Sequence, residues 1–256
     1  MIISVLTKPG PISVKLYQSE AREDYIKPST KATIKQIIKI YLIYTTIGII
    51  SYSLAGMLVF DSVCNTFSII STGGMCVKNA NIGFYNNDVI YFILMILGAT
   101  GFLVHYKLIK TRGKSFVQDM QFKVMISLIA ISTLLIYATS QIVPIDILFV
   151  VVSAITTTGA SIQSSVVMGG WPPFAIFIII VLMLIGGSTG STVGALKIMR
   201  VVTFLKGIYK NSREMWSPDG SVVPIKISDK KLSEHVAIES GNYIALYFIL
   251  IFITWS

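Results

Sequence analysis

The stretch Val143–Arg200, VPIDILFVVVSAITTTGASIQSSVVMGGWPPFAIFIIIVLMLIGGSTGSTVGALKIMR, decides the fold. It opens on a short apolar helix from Asp146, turns at Thr156-Thr157-Thr158-Gly159, and continues through a polar loop into a long apolar helix broken by a Gly/Ser/Thr run. A helix of about ten residues cannot cross a hydrocarbon core of roughly 30 Å, so it enters the membrane and returns on one side. Irregular backbone at membrane depth is tolerated only where it is buried in protein or lines an aqueous path, which is where the turn should lie. Its carbonyls can replace the water shell of an ion. The helix also aims its partially negative carbonyl end at the turn, which favours a cation there. Asp146 is read as the N-cap of this helix.

Composition agrees. The chain has 256 residues, 54% of them hydrophobic, a mean hydropathy of +0.75 and a net charge of +9. That is a polytopic membrane protein rather than a soluble domain. Of the 21 Lys and Arg, seven lie in Met1–Lys39, five in Lys107–Lys123 and eight in Lys197–Lys231, leaving only Lys78 elsewhere. This one-sided placement assigns those three segments to the cytoplasm and Ala55–Asp88 and Ser140–Trp171 to the outside, and it makes nucleic acid an unneeded explanation of the charge. Membrane lipid is the expected surroundings. Met1–Lys35 lacks the apolar core of a cleavable signal peptide, so the first span is the expected insertion signal.

The quoted stretch has an earlier copy. A short apolar helix opens at Asp61, read as its cap, and closes before Ser71-Thr72-Gly73-Gly74-Met75; Asp61 and Gly74 each precede Asp146 and Gly159 by 85 residues. Apolar spans flank both units: Ile34–Leu54 and Val89–Tyr106 the first, Val124–Ile142 and Phe174–Leu205 the second. The repeated unit is therefore span, re-entrant helix, glycine turn, span. A third copy starts at Val236–Trp255, and on the sequence alone the chain reads as a fragment or an interrupted reading frame. The expected organisation is a cytoplasmic segment 1–33, a first repeat 34–110, a linker 111–123, a second repeat 124–206 with an interrupted last helix, a linker 207–235, and the start of a third repeat at 236–256.

Asp61 to Met75, Thr156 to Gly159 and Ile185 to Arg200, in that order, resemble the Trk/Ktr/HKT superfamily of potassium-translocating membrane subunits, over nearly the whole chain. The resemblance implies an all-α integral membrane protein whose repeated span–pore helix–filter loop–span units surround a pore, as in potassium channels. Four such repeats make the family's filter, and this chain resembles the second, the third and the start of the fourth. By position Gly74 and Gly159 match the filter glycines, with Thr72, Gly73, Thr157 and Thr158 beside them as ion-binding candidates. Whether these threonines and Thr156 offer oxygens to an ion or brace the turn is open at this stage. The family's gating loop falls on Gly186, Gly187, Ser188, Thr189, Gly190, Ser191, Thr192 and Gly194, a run where small and hydroxyl residues weaken a helix and which could also be a kink or a close-packing surface. Val193 and Ala195 stand where the family often has glycine, which predicts a stiffer loop, while Lys197 and Arg200 keep its basic pair. Potassium is the implied substrate, passing passively through a gated, channel-like path in the cytoplasmic membrane, with no directly bound cofactor and no resident metal. A homodimer and a cytosolic nucleotide-binding regulatory subunit are the implied partners.

The other chemistry-bearing residues lead away from catalysis. His105 and His235 lie on different stretches and read as lone interfacial histidines, and no nucleophile–base pair or metal-ligand cluster stands on facing spans. Asp61, Asp88, Asp146 and Glu239 lie near helix ends, so a carboxylate proton relay is unsupported. Cys64 reads as a packed free thiol rather than half of a disulfide with Cys76, Lys78 is expected to point into loop or solvent, and Trp171 and Trp255 suit interfacial anchoring. The rival readings are a non-conducting membrane scaffold and a sodium-permeable transporter of the same family.

Overall fold

A computed structural model of the chain describes residues 30–78, 87–111, 119–140, 142–162, 169–217, 225–227, 230–232 and 234–255. Most of the expected cytoplasmic segment 1–33, His235's side chain and Trp255's side chain lie outside the described residues. The elements fall into two compact units, Met1–Ala195 and Leu196–Ser256.

In the first unit, helix α1 (Thr30–Leu54) is followed by the short α2 (Val59–Ile70), then α3 (Asp88–Ala99) and α4 (Phe102–Thr111). The pattern repeats as α5 (Met120–Thr139), the short α6 (Pro144–Ile155) and α7 (Pro173–Ile185). α2 packs on α1 and α3, and α6 packs on α5 and α7, with α3 and α6 touching across the repeats. Of the two short helices, α6 is largely interior, with eight residues from Ile147 to Ile155 buried, whereas α2 buries one face, including Ile69 and Ile70, and leaves Val59, Phe60 and Phe67 exposed. The outer helices turn Leu42, Ile47, Ile50, Leu134, Phe177 and Ile180 outward, the apolar exterior that a lipid solvent favours.

Among the described residues, three helices are long and apolar enough to cross a bilayer, within Ala32–Leu54, Met120–Thr139 and Val236–Thr254. The expected span Val89–Tyr106 is corrected: it is two helices, α3 and α4, bent by 105° at Thr100-Gly101. Glycine at the break permits a close approach, since a Cβ on Gly101 would stand 2.7 Å from the carbonyl oxygen of Thr189. Gly101 lies 85 residues before Gly186, where α7 ends, so both repeats interrupt their last helix at the same register.

The bend also relocates His105. It is buried rather than interfacial, with its Nε2 donating to the Leu97 carbonyl at 2.9 Å and its Nδ1 2.9 Å from the Tyr44 hydroxyl of α1. Trp171 is likewise buried, which removes it from the expected membrane-surface anchors. Cys64 and Cys76 are both free thiols, each half-buried.

In the second unit α8 (Ile198–Met215) packs on α9 (Glu234–Trp255), and the Arg200 guanidinium stacks 3.8 Å over the Tyr243 ring. A two-stranded antiparallel hairpin, β1 (Ile225–Ile227) with β2 (Lys230–Leu232), follows α8 in the chain, a small element within the stretch 207–235 expected as a linker.

Candidate functional site: two glycine turns and the run that docks on them

Each short helix ends in the same hydrogen-bonded motif. After α2, Thr72 N–H donates to Ile69 and Gly73 N–H to Ser68; after α6, Thr157 N–H donates to Ala154 and Thr158 N–H to Ser153. This pair of hydrogen bonds satisfies carbonyls that a helix end leaves without partners, and it demands a left-handed residue at the second position of the turn. Glycine normally fills that position. Here it is threonine in both repeats, with φ +56 at Thr72 and +51 at Thr157. A β-branched residue is strained there, so its side chain must offset the cost elsewhere.

The hydroxyls show where. Thr72 Oγ1 donates to the Ser71 carbonyl at 2.7 Å and lies 3.2 Å from the carbonyl of Thr192, while Thr157 Oγ1 accepts the N–H of Gly194 at 3.1 Å. Both strained threonines therefore reach the Gly186–Gly194 run. Thr156 and Thr158 serve differently: their hydroxyls bond each other at 2.7 Å, and Thr156 also donates to Ser153. That distinction among four threonines was not visible in the sequence.

Gly74 and Gly159 follow at φ +64 and +73. Their surroundings differ. A Cβ on Gly74 would overlap the carbonyl oxygen of Thr158, whereas a Cβ on Gly159 would meet nothing within 4 Å. Gly73 stands close to the backbone of Ser68 and is exposed, as is Gly159. The two turns are thus brought against each other through Gly74 and Thr158.

The run from Gly186 to Gly194 is non-helical and docks by its backbone on the first repeat. Ser188 N–H donates to Ala99 at 3.0 Å, Thr192 N–H to Gly98 at 3.2 Å, and Phe102 N–H to Gly190 at 3.0 Å. Thr192 Oγ1 lies 2.9 Å from the carbonyls of both Ile70 and Gly98. The run therefore caps the ends of α2 and α3, giving partners to carbonyls that would otherwise be orphaned. Ser191 Oγ closes it internally onto the Ser188 carbonyl at 2.5 Å. Thr189 is held by Gln121 at the start of α5, whose Oε1 accepts both its N–H, at 2.7 Å, and its hydroxyl, at 2.9 Å. Close approach explains the glycines: a Cβ on Gly187 would lie 3.0 Å from the Ala99 carbonyl, and one on Gly186 2.9 Å from the Ala195 methyl. Ala195, without glycine's freedom, is held at φ +59, and Val193 is buried beside Gly187.

The caps assigned to Asp61 and Asp146 are corrected. The N-cap residues are Leu58 and Val143, neither making a side-chain cap bond, and each helix begins earlier than expected; in α6 the start is set by Pro144, whose fixed φ suits the first helical turn. Both aspartates lie in the first turn, where the positive end of the helix still favours a carboxylate. Asp61 is buried and its Oδ2 lies 3.7 Å from the Lys78 ammonium, so Lys78 turns toward the protein rather than away from it. No group of three or more His, Cys, Asp or Glu able to hold a metal ion occurs among the described residues.

Comparison with known proteins adds three findings. The family described as cation transport protein, TrkH, matches residues 1–143 and 145–256. An uncharacterized cation transporter of Methanocaldococcus jannaschii is 36% identical over 252 residues, covering 98% of this chain and 52% of that protein, and the Trk system potassium uptake protein TrkH of Escherichia coli K12 is 26% identical over 270 residues, covering 99% and 55%. The crystal structure of the potassium transporter TrkH from Vibrio parahaemolyticus superposes with a TM-score of 0.82 at 22% identity, over 94% of this chain and 54% of that one. The chain spans about half the length of the relatives it matches.

Proposed function

Because the chain belongs to the TrkH family of cation transport proteins, a family of multi-pass membrane transporters and not of enzymes, we propose that it carries potassium across the cytoplasmic membrane through a gated, channel-like pore. In this reading the turns at Thr72–Gly74 and Thr157–Gly159 are two sides of a carbonyl-lined filter, and Gly186–Gly194 is the barrier folded against them. The observation that carries it is the apposition of Gly74 to the Thr158 carbonyl, with both left-handed threonines tied to the run. Two helix carbonyl ends meeting at one place favour a cation there, and fixed carbonyls can stand in for its hydration shell. Two turns supply half of the four-part filter that the family resemblance implies, so conduction requires further repeats beside these. A homodimer and a cytosolic nucleotide-binding regulatory subunit belong to the same proposal.

Potassium and sodium uptake by a transport-deficient host carrying the intact protein tests the reading. Potassium uptake in excess of sodium supports it; equal uptake of both favours a sodium-permeable transporter, and uptake of neither a non-conducting scaffold. Deleting Ser188–Thr192 tests the barrier separately. Flux per folded molecule rises if the run obstructs the path and falls or stays level if it only packs helices together.

A further inference from the structure

Three of the run's bonds to the first repeat, with Gly98, Ala99 and Phe102, join backbone to backbone. Its tie to Gln121 is different in kind, because it depends on one side chain carried by another helix. Both donors of Thr189 converge on a single atom, Gln121 Oε1. An N–H can only donate, so the facing atom of the amide must be its oxygen, and an amide oxygen has two lone pairs for two donors. Gln121 is held in place by the start of its own helix, where the Asp119 carboxylate accepts the N–H of Phe122 at 2.8 Å. Thr189 is also the residue whose carbonyl closes over Gly101 at the break between α3 and α4. One side chain of α5 thus fixes the part of the run that seats on the bend of the first repeat.

We propose that Gln121 is a positioning residue that latches the Gly186–Gly194 run closed through Thr189, so that α5 sets how readily the run leaves its seat. This rests on reading the run as a barrier. The latch needs an acceptor of that reach and nothing else from the side chain: Gln121→Glu keeps both bonds, and Gln121→Leu keeps the bulk and loses both.

Hydrogen exchange of the intact protein in lipid nanodiscs reads the latch directly, and rubidium flux into proteoliposomes reads its consequence. Loss of two hydrogen bonds should speed exchange of the Thr189 amide by at least about tenfold in Gln121→Leu, and Gln121→Glu should restore slow exchange. Rubidium flux per folded molecule should rise several-fold in Gln121→Leu, return toward the native level in Gln121→Glu, and rise furthest when Ser188–Thr192 is deleted. Unchanged exchange in Gln121→Leu overturns the latch whatever the flux. Faster exchange with native flux, while the deletion raises flux, overturns the latch and leaves the barrier standing. If the deletion itself fails to raise flux, the barrier reading falls, and the latch as a control of transport falls with it.

Discussion

The carbonyl oxygen of Thr158 occupies the space into which a side chain on Gly74 would project, while Gly159, one residue further on, faces open space. Two glycines that look equivalent in sequence are therefore held by different constraints. Gly74 answers both to a positive φ and to the neighbouring repeat; Gly159 answers to its φ alone.

Gly74→Ala should accordingly be the more damaging substitution. A methyl at Gly159 costs about 1 kcal/mol for the left-handed backbone, but one at Gly74 also forces the two turns apart. We expect a larger fall in the potassium-to-sodium uptake ratio for Gly74→Ala than for Gly159→Ala, at matched amounts of folded protein. The reverse order would mean that the turns do not abut as described.

At Thr157, strain and tether act in opposite directions. Thr157→Val keeps the strained β-branched shape and loses the exposed bond from the Gly194 N–H, costing about 0.5–1.5 kcal/mol. Thr157→Gly loses the same tether but relieves the left-handed residue, which returns about 1 kcal/mol. Thermal unfolding of the purified protein should rank Thr157→Gly above Thr157→Val, and a lower midpoint for the glycine variant would refute the strain argument.

Topology can be probed at described positions. Met75, 78% exposed after the first turn, should face outside, and Arg213 on α8 should face the cytoplasm. With Cys64 and Cys76 replaced by serine, an impermeant thiol reagent applied to intact cells should label Met75→Cys and spare Arg213→Cys. Labelling at 213 alone would invert the assignment.

His105 should matter for stability more than its solitary place in the sequence suggests. His105→Leu removes two hydrogen bonds, one to the Leu97 carbonyl, which keeps only the Thr100 N–H at 3.3 Å, and one with the Tyr44 hydroxyl, a loss of about 1–3 kcal/mol. Tyr44→Phe removes one hydroxyl and keeps the Leu97 bond, so its loss should be smaller. Equal midpoints for native protein and His105→Leu in thermal unfolding would show that the bend does not depend on this contact.

The repeat was legible because the 85-residue offset carries over from Asp61 and Asp146 to Gly74 and Gly159, and short apolar helices ahead of glycine turns admit few structures in a membrane. The break at Thr100-Gly101 was legible in principle: the same offset pairs Gly101 with Gly186, although Gly98-Ala99-Thr100-Gly101 lacks the length that makes the later run conspicuous. What periodicity could not supply was tertiary contact, within a repeat or between the two. The seating of Thr192 on Ile70 and Gly98, the clasp of Gln121 on Thr189, and the pairing of Lys78 with Asp61 join residues distant in the chain or separated by a loop. The aspartate caps failed for a local reason, since a carboxylate in the first turn and one at the N-cap look alike in sequence when the preceding residues are apolar.

Thr72 and Thr157, which bond the run, and Ala195, which follows it, share one property: each holds a side chain in left-handed backbone. At about 1–2 kcal/mol apiece, this concentrates unfavourable conformational energy where the two turns meet the run, while the helices around them are regular. Regions of a fold give way in order of their local free energy of opening. Warming the protein should therefore erode ionic discrimination before it erodes helicity, with sodium entry rising at temperatures where circular dichroism still reports an intact helical bundle. If the turns form the filter proposed above, selectivity is the first property to fail, and the scaffold outlasts it.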